Sequence, residues 1–370
     1  MKRYRKREPT LQNILSAGDF PPPSNSLASK LKVRWRADKR LAGFIFILFH
    51  HIANSRFYIH LGVLHYRVNM YSKKITRNQP ALITVLLDVS NSMNSEWGSS
   101  GKSLAAGAMY AVNRTIRDLL FNACIPEGEV LNYINLAVYG YGTGEDGNGV
   151  SWRLGKLSEP STGYALAEDW AGSQHRMETI DLGRLADNAQ IARSQKLPIW
   201  VEKEATGWTP MCAGFNKAAS VVKTHIANFP GSFPPIVINI TDGQPTDHNG
   251  DYSNLQKAAL HIKQQETEDG NALLFNVHLD QDGEQFTIMF PDTPPQHSEY
   301  ARELAKCSSI LPAEMTKQGR KELKIDIPES AYGYCLNADF ESLVAFLKIG
   351  TTVVVSEDEE DHILIAGPVE

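Results

Sequence analysis

The strongest constraint on this chain is a set of short, largely apolar runs rich in β-branched residues, each closed by a polar turn. Leu82-Ile83-Thr84-Val85-Leu86-Leu87 ends at Asp88. Tyr133–Tyr139 ends in a glycine-rich turn, and Ile236-Val237-Ile238-Asn239-Ile240 ends at Thr241-Asp242-Gly243. Runs of this length without strict alternation read as strands covered on both faces, as in a parallel sheet. Helix-like stretches lie between them. Within Gly101–Ala123, Leu104, Ala108, Val112, Ile116 and Leu119 recur at the spacing of a helix face. Further helices are expected over Met211–Phe229, Asn254–Glu266, Ser298–Ser308 and Ala338–Ile349, the last stopped by Gly350, with another strand over Ala272–Leu279. Strands alternating with helices of this length imply right-handed crossovers. The expected fold class is α/β: a doubly wound, mostly parallel sheet flanked by helices on both faces.

Charge divides the chain. Residues 1–69 carry 13 Lys and Arg against 3 Asp and Glu, whereas residues 70–370 carry 24 against 39. The larger part is acidic, which disfavours nucleic acid as its partner. The basic segment 1–69 lacks a sustained amphipathic pattern. Two readings of it stand: an upstream extension ahead of a true start at Met70, or a basic arm that touches membrane or nucleic acid. Its most apolar stretch, Leu41–Phe49, is far shorter than the about 20 residues a membrane span needs. No apolar core directly follows the basic N-terminus, as a secretory signal requires. Residues 70–80 read as a lead-in and 81–352 as the main domain. That domain holds an insertion at about 140–197, with a short strand at 150–154. Residues 353–370, with the run Glu357–Asp361, read as an acidic, solvated tail. Cys124, Cys212, Cys307 and Cys335 show neither zinc nor redox spacing. They read as reduced thiols, which points to a cytoplasmic setting.

Asp88-Val89-Ser90-Asn91-Ser92-Met93 directly follows the first apolar run. In a turn leaving a strand, alternate residues aim three oxygens at one point. Asp242 stands at the end of another buried strand. Thr209 lies in Gly207-Trp208-Thr209-Pro210-Met211, just before a helix. The carboxyl edge of an open α/β sheet is where such folds bind ligands. Carboxylate and hydroxyl oxygens are hard donors that suit Mg²⁺, Mn²⁺ or Ca²⁺. Each element alone is weak, because Asp and Ser after a strand commonly cap a helix or form a turn. Three in order, each at a strand end or a helix start, are much more specific.

Together these residues resemble the metal-ion-dependent adhesion site of von Willebrand factor A (vWA) domains. The pattern there is D-x-S-x-S, then a Thr in a loop, then an Asp after a later strand. It maps onto Asp88, Ser90 and Ser92, onto Thr209, and onto Asp242. The resemblance covers roughly residues 81–352, with further echoes in Thr209-Pro210-Met211 and in Asp242-Gly243-Gln244-Pro245-Thr246-Asp247. It departs at Trp208, where many members carry Gly, which bears on the flexibility of the Thr209 loop. It departs also in the length of 140–197. The resemblance implies direct metal contacts from Ser90, Ser92 and Thr209, with Asp88 and Asp242 acting directly or through water. The implied metal is Mg²⁺, with Mn²⁺ or Ca²⁺ as alternatives, and a partner's carboxylate fills the open position. With few cysteines and no evident secretion signal, the chain resembles bacterial intracellular members. These are often encoded near Ser/Thr kinases and phosphatases or stress-resistance components.

The expected function is a divalent-metal-dependent protein-interaction module that recognises an acidic group on a protein partner in such a system. No G-x-S-x-G elbow, phosphate-binding P-loop or H-E-x-x-H motif occurs, and no general base stands beside the site, so catalysis is not expected. A metal-dependent phosphate-ester hydrolase and an RNA-associated vWA protein are the alternatives. His225, His248, His261 and His278 show no mutual ligand spacing and read as surface or packed residues. His50, His51, His60 and His65 form a loose cluster without zinc spacing. Asp247 and Asp251 read as solvated loop residues near the site, and Trp200 as core of an edge strand.

Overall fold

Every residue of Ala81–Asp88 (β1) is buried, as a strand sandwiched between two helical layers must be. The computed structural model describes residues 70–97, 101–125, 128–181, 194–248, 250–279, 287–296, 298–356 and 361–364. The readings of residues 1–69 and of the acidic residues 357–360 lie outside these. After β1 come α1 (Leu104–Leu119), β2 (Ile134–Thr143), β3 (Gly149–Trp152), α2 (Ala167–Trp170), β4 (Arg176–Asp181) and β5 (Ser194–Ile199). Then follow α3 (Met211–Asn228), β6 (Ile236–Thr241), α4 (Ser253–Lys263), β7 (Glu266–Thr267), β8 (Gly270–Asn271), β9 (Leu273–His278) and β10 (Ile288–Met289). The chain continues through α5 (Glu299–Cys307), α6 (Ala313–Leu323), β11 (Tyr334–Leu336), α7 (Phe340–Gly350), β12 (Val353–Ser356) and β13 (Asp361–Leu364). No helix among the described residues is long and apolar enough to cross a membrane.

A seven-stranded sheet runs in the order β10-β11-β9-β6-β1-β2-β3. Its five central strands are parallel, and β3 and β10 close the two edges antiparallel to their neighbours. The period-two pleat sends alternate residues to opposite faces, and two core clusters result. Ile83, Val85 and Leu87 of β1 join Ile236, Ile238 and Ile240 of β6 under α1 and α7. Leu82 and Leu86 of β1 join Val237 and Leu274 under α3, α4 and α5. The sheet is therefore doubly wound, the fold class expected from the sequence. Helix starts are set by side-chain caps: Ser103 accepts from Ala106 N, Ser298 from Ala301 N and Asp339 from Ser342 N, each satisfying an otherwise orphaned donor.

The connections matter most for the site. From β1 the chain winds through α1 to β2 on one side, and it later returns through α3 to place β6 on the other side of β1. The winding direction reverses between β1 and β6. The crevice at the carboxyl ends of these two strands is where such sheets hold ligands.

Several elements differ from the sequence reading. The insertion contributes β3 to the main sheet and then a separate antiparallel hairpin, β4–β5. Trp200 is core, at 1% exposure, but it follows β5 rather than lying in an edge strand of the main sheet. Its indole meets Trp170 edge-on at 6.2 Å and donates to Trp170 O. Asn113 of α1 accepts from both Trp200 N and Val201 N, pinning this segment to the helix. The helix α6 had no clear apolar period, because it buries mainly Met315, Thr316 and Gln318. Part of the expected tail is strand: β12 pairs with β13, Ser356 opposite Asp361.

His225 of α3 is fully buried, near Asn135 Nδ2 and Ser232 Oγ at 3.4 Å each, and its ring packs on Tyr164 and Phe229. Burial pushes its pKa down to about 3, whereas an unfolded histidine titrates near about 6.5. The unfolded chain thus takes up the proton first. The contribution of neutral His225 is fully present above about pH 6.5 and is lost as pH falls toward the folded value. His225→Phe is expected to flatten the fall of the urea midpoint across that acid window. Parallel pH profiles for variant and wild type would show that His225 does not control acid stability.

Candidate metal centre

Backbone pairing continues past the end of β1 and sets the first loop. Val89 N donates to Tyr141 O at 3.0 Å, and Val89 O accepts from Thr206 N at 2.8 Å. Ser90 bridges Gly207, and Asn91 N donates to Gly207 O at 2.8 Å. A short 3₁₀ turn, Asn91–Asn94, follows. Val89 and Met93 are buried at 4% and 1% exposure. They anchor the turn in the core, while Ser90 and Ser92 meet Asp88 and Asp242.

The sequence-predicted residues converge. Ser90 N donates to Asp88 Oδ1 at 2.8 Å, and the Ser90 and Ser92 hydroxyls are 2.9 Å apart. Ser92 Oγ donates to Asp242 Oδ1 at 2.8 Å, although the two are 150 residues apart in sequence. Asp242 stands one residue beyond β6. The side chain of the preceding residue, Thr241, donates to Asp88 Oδ2 at 2.6 Å, locking the ends of β1 and β6 together. Thr209 joins from the third loop. A Cβ built on Gly243 would stand 3.6 Å from both Ser92 Oγ and Thr209 Oγ1, so these two hydroxyls face one small space. Thr209 is 5% exposed, and among the described residues its hydroxyl has no hydrogen-bond partner.

Two glycines hold the Thr209 loop at this depth. A methyl on Gly207 would collide with the Gly142 carbonyl, and one on Gly142, whose φ is +99°, would strike Trp208 O. Trp208 N donates to Gly147 O at 2.9 Å. The departure at Trp208 therefore leaves the loop backbone tied on both sides, with the indole outside at 61% exposure. Asp247, read from sequence as a solvated loop residue, instead caps α3. Its two oxygens accept from Cys212 N at 3.1 Å and Ala213 N at 2.9 Å. The helix needs this distant cap because its own N-cap residue, Pro210, supplies none. Asp251, by contrast, is an exposed loop residue.

The electrostatics are one-sided. Asp88 is 2% exposed, and no Lys, Arg or His among the described residues forms an ion pair with it. Burial raises its pKa to about 7, against the hydrogen bonds from Ser90 and Thr241, with the charge of Asp242 adding to the rise. Two carboxylates, three hydroxyls and no thiol or imidazole form a hard, anionic donor set. These residues fit Mg²⁺, Mn²⁺ or Ca²⁺. Among the described residues no group of three or more His, Cys, Asp or Glu could hold a metal, so any cation here relies on the hydroxyls. The four histidines at 225, 248, 261 and 278 do not join the site.

Because the folded pKa of Asp88 lies above its unfolded value, its cost to the metal-free protein is absent at acid pH. The cost grows between about pH 4 and pH 7 and is fully present above that. Asp88→Asn is therefore expected to raise the melting temperature in EDTA at about pH 8, and to abolish any stabilisation by Mg²⁺. A variant less stable than wild type in EDTA, or one still stabilised by Mg²⁺, would contradict this account.

No protein-family model matches the chain, and no curated protein matches it by sequence. Among solved structures, the pilus adhesin SpaC from Lactobacillus rhamnosus GG is similar at 13% identity and a TM-score of 0.36, over 74% of this chain and 30% of that one. The manganese-loaded TRAP protein of Plasmodium vivax is similar at 15% identity and a TM-score of 0.34, over 74% of each chain. The chain thus spans less than a third of the adhesin's length.

Proposed function

We propose that this chain is a vWA-type interaction module in which Asp88, Ser90, Ser92, Thr209 and Asp242 hold a divalent cation, Mg²⁺ or Mn²⁺. The observation that carries the reading is the convergence of these five side chains on one small space, where the buried Asp88 carboxylate has no ion-pair partner among the described residues. When bound, the cation supplies a Lewis-acidic position that an oxygen of another molecule can complete. The chain's own residues do the rest. The two carboxylates give the charge, the three hydroxyls give further donors, and Gly142 and Gly207 hold the loops at the depth this requires. Mg²⁺ favours six oxygens and retains waters, so these donors leave room for an outside carboxylate. Trp208, exposed at the rim, offers an apolar contact to the same partner.

In this reading Asp88 and Asp242 serve as ligands rather than as acid or base, and the module binds without catalysing. The proposed setting is cytoplasmic, within a bacterial signalling or stress-response system. Four buried, unpaired cysteines suit a reducing compartment.

Lysate proteins retained on the immobilised chain in Mg²⁺ are expected to disappear in EDTA and with the Ser90→Ala, Ser92→Ala double variant. Trp208→Ala should weaken retention while leaving cation affinity unchanged. If the same proteins are retained under all conditions, the metal centre does not mediate recognition.

A further inference from the structure

The turn that carries Ser90 and Ser92 lies alongside the segment that leads to Thr209, and most of what joins them is backbone. Asn91 N donates to Gly207 O at 2.8 Å, and Val89 O accepts from Thr206 N at 2.8 Å and from Gly207 N at 3.2 Å. Pairing of this kind forms whatever side chains the loops carry. One side chain adds to it. Asn94, the last residue of the 3₁₀ turn, donates from Nδ2 to Ala205 O at 2.7 Å, across 111 positions of sequence. Its contact inside the turn, to Asn91 Oδ1, is longer at 3.4 Å.

Ala205 is 8% exposed and belongs to the core. Among the described residues no other donor meets its carbonyl, and buried carbonyls are seldom left unpaired. An asparagine amide carries two N–H donors, enough to hold Ala205 and to brace its own turn. The segment it holds leaves Val201, which Asn113 ties to α1, and runs past Ala205 and Gly207 to Thr209. At the end of that segment the Thr209 hydroxyl faces the same small space as Ser92 Oγ, each 3.6 Å from a Cβ built on Gly243. Bonds from a hard cation to oxygen keep their length to within about 0.2 Å. The spacing of these two hydroxyls must therefore be set by the protein, and Asn94 spans the two segments that carry them.

We propose that Asn94 is a positioning residue of the metal centre: by joining the serine turn to the segment ahead of Thr209, it sets the Thr209 hydroxyl against those of Ser90 and Ser92. The proposal rests on the metal-binding reading above. Asn94 contributes no ligand of its own. Its amide bond to Ala205 is the part of this junction that depends on residue type, because the remaining ties are made by backbone. A partner that orients a ligand from behind contributes to metal affinity without touching the metal.

The test is calorimetric titration of the full chain with Mn²⁺ alone. Asn94→Ala is expected to lower Mn²⁺ affinity about tenfold, the lower end of what loss of an orienting partner costs. Asn94→Leu, similar in size but without a donor, should do the same. The discriminating readout is a double-mutant cycle with Thr209→Val, which keeps the other four side chains. If Asn94 acts by placing the Thr209 hydroxyl, its loss costs nothing further once that hydroxyl is gone. A merely structural asparagine would weaken binding by the same factor in both backgrounds, and that result would overturn this proposal alone. So would Mn²⁺ affinity in Asn94→Ala and Asn94→Leu within about twofold of a wild type that does bind. A wild type with no Mn²⁺ binding that Asp88→Asn removes would overturn the metal reading, and this proposal with it.

Discussion

The Asp88 carboxylate is the point on which the arrangement turns. Removing a charge from water is expensive unless it is paired or well hydrogen-bonded, and Asp88 is 2% exposed without a cationic partner. What holds it is a pair of short hydrogen bonds, from Ser90 N and from Thr241 Oγ1. The second of these joins the ends of the two strands between which the winding of the sheet reverses. Asp242 brings a further negative charge to the same place. A metal-free chain bears the cost of the buried Asp88 charge, which a cation held beside it would offset.

The rest of the domain reads as support for that cluster. Three loops must arrive at one depth, and each is secured differently. The Ser90–Ser92 turn is anchored from below by Val89 and Met93. The Thr209 loop is set by the contact of Gly207 with Gly142 and by backbone pairing to Val89 and Asn91. The Asp242 loop is tied through Asp247 to the start of α3 and through Tyr252 to an aromatic stack against α5. Removal of any one tie would loosen one of the five proposed donor side chains without touching it.

Much of this was legible in the chain itself. The runs at 82–87 and 236–240 are apolar on both faces, so a parallel core and the strand-end placement of Asp88 and Asp242 follow from them. Ser90, Ser92 and Thr209 stood out by spacing and order. What was not legible depends on contacts distant in sequence. Nothing near Asp247 marks it as the cap of a helix that starts at Met211. The strand β4, with its pairing to β5, and the helix α6 were missed for another reason. Each buries few apolar side chains, so the period that reveals helices and strands is faint there. Gly207 and Gly142 were visible as residues, but their role emerges only when the two backbones meet.

The most direct measurement is anomalous scattering from crystals of the full chain grown with Mn²⁺. The account predicts one strong peak bounded by Asp88, Ser90, Ser92, Thr209 and Asp242, with at least the serine hydroxyls at about 2.0–2.3 Å, the range of hard-cation bonds to oxygen. Crystals whose manganese lies elsewhere, or whose site holds only water at saturating Mn²⁺, would contradict it.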